Sequence, residues 1–292
     1  MAKVLYKSGM KSQTIVLQNG VIEGCNGRSI LFDFRYNNSA LPKPTLIFCH
    51  GFMGFKDWGP FNLLADYLCF NQINVLKFNF SHNGITPENF EDIIDTVSFS
   101  KNNLLFELDD LESVLNFILN DNKISGFTDK SNIILMGHSR GGSISIIKAS
   151  EDLRIRKLIT LGALNKFGFF FTDLEKANWK KTGVHTVMNS RTKKLLPMLV
   201  QYLDVIEKNK ERLNIESAIK KLSIPCLIIH GRNDETVPTQ MAIQLNDWQP
   251  NSVLKIINDA NHTFGGRHPW LSDELPSALK YCADEIIQFV KS

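Results

Sequence analysis

Short runs of apolar residues alternate along the chain with stretches in which apolar residues recur every three or four positions. The first pattern is typical of buried strands and the second of amphipathic helices. The clearest helical spacing lies in residues 61–68 and 104–119. The predicted strands are residues 14–17, 29–34, 45–49, 74–80, 132–136, 157–161, 225–229 and 253–257.

The first two predicted strands are separated by Asn19-Gly20 and Asn26-Gly27, which are turn signals, so the chain is expected to begin with antiparallel strands. Strands and helices then alternate, a pattern that favours a parallel sheet covered by helices on both faces. The predicted fold class is therefore α/β, with a mostly parallel sheet of about eight strands.

The segment from residue 162 to 222 has a different character. Its periodicity is helical, it contains no convincing strand, and it carries a cluster of phenylalanines: Phe167, Phe169, Phe170 and Phe171. We therefore expect residues 1–161 and 223–292 to form one core and residues 162–222 to form an inserted helical cap.

Composition and charge narrow the class of protein. Hydrophobic content of 43% and charged content of 22% are ordinary for a globular domain. The net charge of +3 is spread along the chain without basic-aromatic interleaving, so no nucleic-acid partner is expected. No apolar run approaches membrane-spanning length, so no membrane partner is expected either. The oligomeric state stays open, with a homodimer as one candidate.

The five cysteines are scattered and odd in number, which indicates reduced thiols. No Cys/His spacing is typical of zinc, and neither a metal nor a cofactor is expected. Residues 1–7 are followed by glycine and polar residues where a secretory signal would need an apolar core. These features predict a cytoplasmic protein.

The segment Gly137-His138-Ser139-Arg140-Gly141 lies between a predicted strand and a predicted helix. A G-x-S-x-G turn in this context is typical of a nucleophile elbow, in which the serine backbone is strained and its hydroxyl exposed. The flanking glycines are needed because side chains there would collide with the neighbouring strand and helix. The sequence therefore makes Ser139 a candidate nucleophile.

A serine hydroxyl is a poor nucleophile until a base takes its proton, and an acid must orient that base. Loops at the carboxyl ends of parallel strands converge, so partners are sought there. Residues 230–235 and 258–263 follow two late strands and supply Asp234 and His262. The alternatives are Glu235, Asp247 and Asp259 for the acid and His268 for the base.

The order serine, acid, histidine and its strand context resemble the α/β-hydrolase superfamily, over residues 45–290. The resemblance implies that Ser139 is the nucleophile, Asp234 the acid and His262 the base of a catalytic triad. The His-Gly-Phe segment ending at Phe52 is similar to the oxyanion loop of that family. The backbone N–H groups of Phe52 and Arg140 are then expected to form the oxyanion hole.

Short motifs refine the resemblance. The Asn261-His262-Thr263-Phe264 segment and the His-Gly-Phe loop look similar to cinnamoyl or feruloyl-type esterases and to serine aminopeptidase-type hydrolases. We expect an acyl or aromatic pocket formed partly by Phe52 and by residues of the cap and the loop after residue 80. Those pocket residues are His82, Phe167, Phe169 and Phe170. The sequence indicates structural roles for His50, His138 and His230.

The predicted function is hydrolysis of carboxylic esters of small molecules through an acyl-enzyme intermediate, without a cofactor. A peptidase or amidase, and a thioesterase or acyltransferase, are alternatives that use the same triad. An alternative of another class is a non-catalytic protein that binds a small ligand in the same pocket.

Overall fold

The computed structural model describes residues 3–7, 14–37, 39, 41–122 and 124–292, with the backbone alone for residues 3–7. Met1, Ala2 and residues 8–13, in the N-terminal segment considered above, lie outside the described residues. The strands are β1 (Lys3–Lys7), β2 (Thr14–Glu23), β3 (Ser29–Asn37), β4 (Lys43–Cys49), β5 (Asn74–Phe78), β6 (Thr128–His138), β7 (Ile155–Leu161), β8 (Val184–Met188), β9 (Leu195–Leu199), β10 (Cys226–Gly231) and β11 (Val253–Ile257). The helices are α1 (Phe61–Phe70), α2 (Thr96–Lys101), α3 (Leu104–Asn120), α4 (Arg140–Glu151), α5 (Asp173–Thr182), α6 (Gln201–Lys208), α7 (Ile215–Lys220), α8 (Gln240–Trp248) and α9 (Ser277–Lys291).

Nine strands form one sheet in the order β1-β2-β3-β5-β4-β6-β7-β10-β11. The strands from β1 to β5 in this order pair antiparallel, and those from β5 to β11 pair parallel. The predicted α/β fold with a mostly parallel sheet is confirmed. The sheet has one strand more than the eight predicted segments, because β1 adds an edge strand on β2.

The predicted turn at Asn19-Gly20 is wrong, because β2 continues through it. The register with β3 shifts between Leu17 and Gly20, so these residues form a bulge. Asn19 has a φ of 54°, and its N–H donates to Asp33 Oδ1 at 2.9 Å. A Cβ on Gly20 would lie 2.3 Å from the Phe32 ring, which explains why glycine is required there.

Alternating residues of β6 pack on opposite faces of the sheet, as a strand buried on both sides requires. Ile133 and Leu135 belong to the core cluster that contains apolar residues of α3 and α4. Ile134 and Met136 belong to the cluster that contains apolar residues of α1 and α9. The elbow that follows β6 is therefore carried by a strand fixed from both sides.

The segment 162–222 is not purely helical, so the expectation that it contains no strand is wrong. Besides α5, α6 and α7 it contains an antiparallel hairpin of β8 and β9, in which Val184 pairs with Leu199. In β9 the inner residues Leu196 and Met198 are buried and Leu195 is exposed. This period-two alternation is the strand signal in the sequence.

A buried ionic cluster supports the loop after β4. Lys56 Nζ lies 2.9 Å from Asp33 Oδ1, and Lys77 Nζ donates to Asp57 Oδ1 and to the Lys56 carbonyl, both at 2.8 Å. The Lys56 N–H donates to Asn79 Oδ1 at 2.7 Å. Burial acts to raise the pKa of Asp57, but the two ammonium groups outweigh it and hold that pKa far below its usual range. The cluster ties the loop to β3 and β5.

The described thiols are free, and those of Cys49, Cys69, Cys226 and Cys282 are buried. Burial raises the pKa of Cys49 and of Cys226 to about 12, so both thiols stay protonated. Among the residues that the structure describes, no helix combines the length and the apolar character that crossing a membrane requires.

Candidate active site

Ser139 occupies the turn between β6 and α4 with φ 54° and ψ −126°, a strained conformation for a residue with a side chain. A Cβ on Gly137 would lie 2.2 Å from the Gly141 carbonyl oxygen, and a Cβ on Gly141 would lie 2.4 Å from that of Cys49. Larger residues cannot replace these glycines without moving backbone. The geometry is that of a nucleophile elbow.

Asp234 and His262 are brought together at the same edge of the sheet. Asp234 follows β10 and His262 follows the adjacent strand β11, so both side chains leave the carboxyl ends of neighbouring parallel strands. His262 Nδ1 lies 2.8 Å from Asp234 Oδ2. A Cβ on Gly162, just after β7, would lie 3.4 Å from both of these atoms. The pair therefore packs directly against the backbone beside the elbow strand.

Four donor groups surround the buried Asp234 carboxylate. Oδ1 accepts from the N–H groups of Thr236 and Val237 at 2.9 and 2.7 Å. Oδ2 lies 2.8 Å from His262 Nδ1 and 3.1 Å from His230 Nε2. Burial acts to raise the pKa of Asp234, but the hydrogen bonds from His230 and His262 outweigh it and hold that pKa far below its usual range. The carboxylate is therefore ionised at neutral pH.

His230 is the residue whose role the sequence did not reveal. Its Nε2 lies 2.9 Å from the Val237 carbonyl oxygen, which is the kind of backbone contact expected for it, and also faces Asp234. Because both neighbours accept hydrogen bonds, the proton is assigned to Nε2. The imidazole side chain is fully buried. The signal in the sequence is the spacing of histidine and aspartate four residues apart at a strand end.

Two further histidines fix the backbone around the elbow. His138 Nε2 donates to the His262 carbonyl oxygen at 2.8 Å, and burial lowers the pKa of His138 to about 3. His50 Nδ1 donates to the Gly51 carbonyl oxygen at 2.8 Å, and its Nε2 accepts from the Phe80 N–H at 3.3 Å. Burial lowers the pKa of His50 to about 4. Both imidazoles are therefore neutral and structural near pH 7.

The loop after β4 approaches Ser139 closely. A Cβ on Gly51 would lie 3.0 Å from the Ser139 Cβ, and the Gly54 N–H closes a turn on the Gly51 carbonyl at 3.0 Å. Phe52 lies within this turn. Arg140 is the first residue of α4, so its N–H has no carbonyl acceptor within the helix. Two backbone N–H groups thus lie in the segments that flank Ser139.

Two cavities meet at Ser139 and His262. The first, of about 430 Å³, is lined by polar and apolar groups in similar measure, and we call it the polar cavity because it is the more polar of the two. The second, of about 480 Å³, extends under the segment 162–222 and is mostly apolar. The polar cavity includes Trp58, Asn189, Arg191, Glu235, Arg267 and His268. The apolar cavity includes Leu164, Phe167, Phe170, Met188, Met198 and Tyr202.

Two of the four predicted pocket residues are placed at the apolar cavity and two are not. Phe167 and Phe170 line it, but Phe169 is 43% exposed, with its ring against Phe170 at 5.2 Å. Phe170 is exposed to a similar degree, at 46%, so what separates the two residues is that Phe170 borders the cavity. His82 lines a separate cavity with Arg28 and other residues, so its assignment to the site is wrong. The physical reason is that β4 stands between β5, which precedes His82, and the elbow strand β6.

The alternative acid and base have other contacts. His268 Nδ1 accepts from the Gly59 N–H at 2.9 Å, so its lone pair is used in holding a loop. Asp259 sits in a turn with a φ of 59°. Within the described part of the chain, no group of three or more His, Cys, Asp or Glu side chains is arranged to hold a metal ion.

A sheet covered by helices, with a serine elbow on a central strand and an acid–histidine pair on the next loops, defines the α/β-hydrolase fold. Residues 93–249, just over half of the chain, match the model of the BD-FAE family. The chain belongs to the BD-FAE family. The matched region contains Ser139 and Asp234 and ends before His262.

Solved structures share this fold at low sequence identity. Est1E from Butyrivibrio proteoclasticus is 17% identical with a TM-score of 0.69, over 93% of this chain and 97% of that one. Est1E with ferulic acid bound is 18% identical with a TM-score of 0.71, over 93% and 98%. A puromycin-hydrolyzing peptidase of Mycobacterium tuberculosis is 14% identical with a TM-score of 0.64, over 96% of this chain and 39% of that one. No curated protein is significantly similar in sequence.

Proposed function

We propose that the protein is a serine hydrolase that cleaves carboxylic esters through an acyl-enzyme intermediate, with Ser139 as the nucleophile. The observation that carries this proposal is the buried Asp234–His262 pair, 2.8 Å apart, beside a strained serine elbow. Ser139 and His262 both line the junction of two cavities, where a substrate can reach them. Membership of the BD-FAE family supports the ester class.

His262 acts as the base. Its Nδ1–H donates to Asp234 Oδ2, which leaves the Nε2 lone pair to accept the Ser139 proton. Asp234 stays ionised because its pKa lies far below its usual range, so it holds this tautomer and stabilises the imidazolium. The Ser139 oxygen then attacks the ester carbonyl carbon, and a tetrahedral intermediate forms.

The backbone N–H groups of Phe52 and Arg140 stabilise the oxyanion of that intermediate. Amides aimed at the developing charge in a site shielded from water lower the barrier by about 3 kcal/mol each. Arg140 also opens α4, whose N-terminal partial charge adds positive potential. The collapse of the intermediate expels the alcohol, which takes the proton from His262 Nε2.

The two cavities hold the two parts of the ester. The imidazole must reach the departing alcohol, and the loop of residues 261–268 that carries it also lines the polar cavity, so the alcohol lies there. The acyl group lies in the apolar cavity near Phe167 and Phe170, under residues 162–222 as a cap. Water activated by His262 then attacks the acyl-enzyme and releases the acid.

Amide hydrolysis by the same triad is the second candidate, since Glu235 lines the polar cavity and could hold a substrate amine. Arg191 and Arg267 line the same cavity, and their positive charges oppose a cation there. The ester reading is therefore preferred over the peptidase reading. Thioester and acyl-transfer reactions share the acyl-enzyme and stay alternatives, and the cytoplasmic location stays a prediction.

The test is turnover of a panel of p-nitrophenyl esters, from acetyl to aromatic acyl groups, against aminoacyl and prolyl amides. We expect ester turnover, fluorophosphonate labelling of the protein, and loss of both in Ser139→Ala. Ser150→Ala is the matched control, because Ser150 lies on the same helix away from the cavities and only bonds the Ile147 carbonyl. It should retain wild-type activity.

Three results would contradict the proposal. Wild-type turnover in Ser139→Ala would mean that another group is the nucleophile. Turnover of amides alone would favour the peptidase. Absence of labelling together with tight binding of a small ligand would favour the non-catalytic alternative.

A further inference from the structure

The Arg140 side chain is buried beside the elbow, although its backbone alone has a role in the proposed mechanism. Its guanidinium forms an ion pair with Glu107 of α3, and the two side chains are 10% and 1% exposed. Glu107 Oε1 also accepts from the Asn102 amide at 2.8 Å. Buried ion pairs of this kind add little net stability compared with apolar residues of the same size. Stability alone therefore does not account for a charged pair here.

The guanidinium contacts the ring of the residue that provides the other oxyanion N–H. The Arg140 Cζ lies 4.5 Å from the centre of the Phe52 ring, a cation–π distance. The ring of Phe52 also stacks on Phe99 of α2, with centroids 5.7 Å apart. Tyr202 of α6 lies beside the guanidinium in the wall of the apolar cavity. One guanidinium thus links the elbow, the loop after β4 and the segment 162–222.

We propose that Arg140 is a positioning residue: its ion pair with Glu107 fixes the guanidinium, which holds the Phe52 ring and so orients the Phe52 N–H toward the oxyanion. The inference rests on the proposed function, because it concerns the oxyanion hole of that reaction. The turn that contains Phe52 is also held by the hydrogen bond between Gly54 and Gly51 and by the ionic cluster at Lys56. The Phe52 ring is the side-chain contact nearest to the Phe52 N–H.

The variant that tests this inference removes both charges, Arg140→Met with Glu107→Gln. Glutamine keeps an acceptor for the buried Asn102 amide, whereas Arg140→Met alone leaves the Glu107 charge buried and unpaired. We expect kcat to fall about 10- to 100-fold with KM nearly unchanged, since deleting an oxyanion donor costs about 100- to 1,000-fold and a misdirected donor costs less. The loss should be equal for acetyl and aromatic esters, because every acyl group uses the oxyanion hole.

Lys148→Met is the matched control. Lys148 lies two turns further along α4, is 7% exposed, and forms an ion pair with Glu112 of α3. The Lys148→Met variant therefore removes an ion pair between the same two helices, with a buried lysine and an exposed Glu112, at a distance from the Phe52 loop. We expect wild-type kcat in this variant.

The route through the ring is tested by a cycle of substitutions. Phe52→Leu keeps the backbone N–H but removes the ring, so it should lower kcat to a similar degree. If the guanidinium acts through the ring, Phe52→Leu should cost little more in the charge-free double variant. Arg140→Lys keeps the charge without the planar stacking group. This variant should retain part of the kcat that the double variant loses.

Two results would overturn the inference. If kcat fell equally in the double variant and in Lys148→Met, the Arg140–Glu107 pair would have only a structural role. A rise in KM confined to esters of dicarboxylic acids, with kcat intact, would show that the guanidinium binds substrate.

The rate of fluorophosphonate labelling separates failure of this inference from failure of the proposed function. Phosphonylation of Ser139 uses the same oxyanion hole whatever the natural substrate. A wild-type protein that is labelled but turns over no ester would refute the ester assignment alone, and the ratio of labelling rates would still test Arg140. A wild-type protein that is not labelled would refute both.

Discussion

Removing the His230 imidazole should weaken the support of the Asp234 carboxylate without removing the carboxylate. In His230→Leu, Asp234 Oδ2 loses the donor at 3.1 Å, and the Val237 carbonyl loses its donor at 2.9 Å. The single Nε2 proton is shared between these two acceptors, so its loss is that of about one hydrogen bond to a charged group, about 1.5 to 3 kcal/mol. We therefore expect the free energy of unfolding to fall by about 2 kcal/mol, measured by urea denaturation at pH 7.

The effect of His230→Leu on kcat/KM should be smaller than the effect of removing the Asp234 carboxylate. Loss of the His230 donor raises the pKa of Asp234 from its lowered value. Since that pKa starts far below its usual range, the carboxylate stays ionised at pH 7 and retains its bond to His262. We expect kcat/KM for a p-nitrophenyl ester to fall about tenfold, against about 10⁴-fold for Asp234→Asn. His230→Gln, which offers an amide donor, should recover part of both losses.

The reasoning would be refuted if His230→Leu unfolded at the same urea concentration as the wild type and kept its kcat/KM. A loss as large as that of Asp234→Asn would also refute it, because His230 would then take part in the chemistry directly.

Two other predictions concern pH and the acyl pocket. His50 and His138 are neutral in the folded protein, with pKa values of about 4 and about 3, so the unfolded chain binds more protons below pH 6.5 and stability falls as pH decreases. His82, whose pKa burial lowers to about 4, adds to this loss, whereas Asp110, whose pKa burial raises to about 6, acts in the opposite direction. The urea midpoint should therefore be lower at pH 5 than at pH 7, and equal midpoints would contradict this. Phe170→Ala should lower kcat/KM for aromatic acyl esters by roughly tenfold and spare acetyl esters, because it removes apolar contact in the cavity. Phe169→Ala is its control, since Phe169 is similarly exposed but does not line the cavity, and equal losses in the two variants would refute the pocket.

The elements that carry the site could be predicted from the sequence because strong local signals coincide there. The apolar run before Gly137 is buried on both faces, and the glycines mark the turn on steric grounds alone. The loops that carry Asp234 and His262 follow strands with equally clear patterns. Their meeting then follows from the geometry of parallel strands.

The remaining features depend on tertiary context. The strand β1 is short and its pairing with β2 needs a partner that local pattern does not reveal. The hairpin of β8 and β9 has only five residues a strand, one of them Pro197, so the helical signal around it dominated. His82 follows a strand as the site residues do, but the structure places it in a separate cavity.

The contact of His230 with Asp234 was hidden for a similar reason. A histidine before a glycine at the end of a strand bonds the loop backbone whether or not it also contacts a carboxylate. Only the path of the loop, which brings Val237 and Asp234 back over the imidazole, decides that it also meets the carboxylate.

The junction of two cavities at Ser139 has a consequence for how such a catalyst could diverge. In the proposed reaction, the acid portion of the substrate is held chiefly by residues 164–188 and 198–202, whereas residues 189–191 and the loop of residues 261–268 meet the portion that departs or any acceptor that replaces it. Substitutions in one stretch can therefore retune one half of the substrate while leaving the other half's recognition intact. Specificity for the acyl donor and specificity for the acceptor can therefore change separately within one chain.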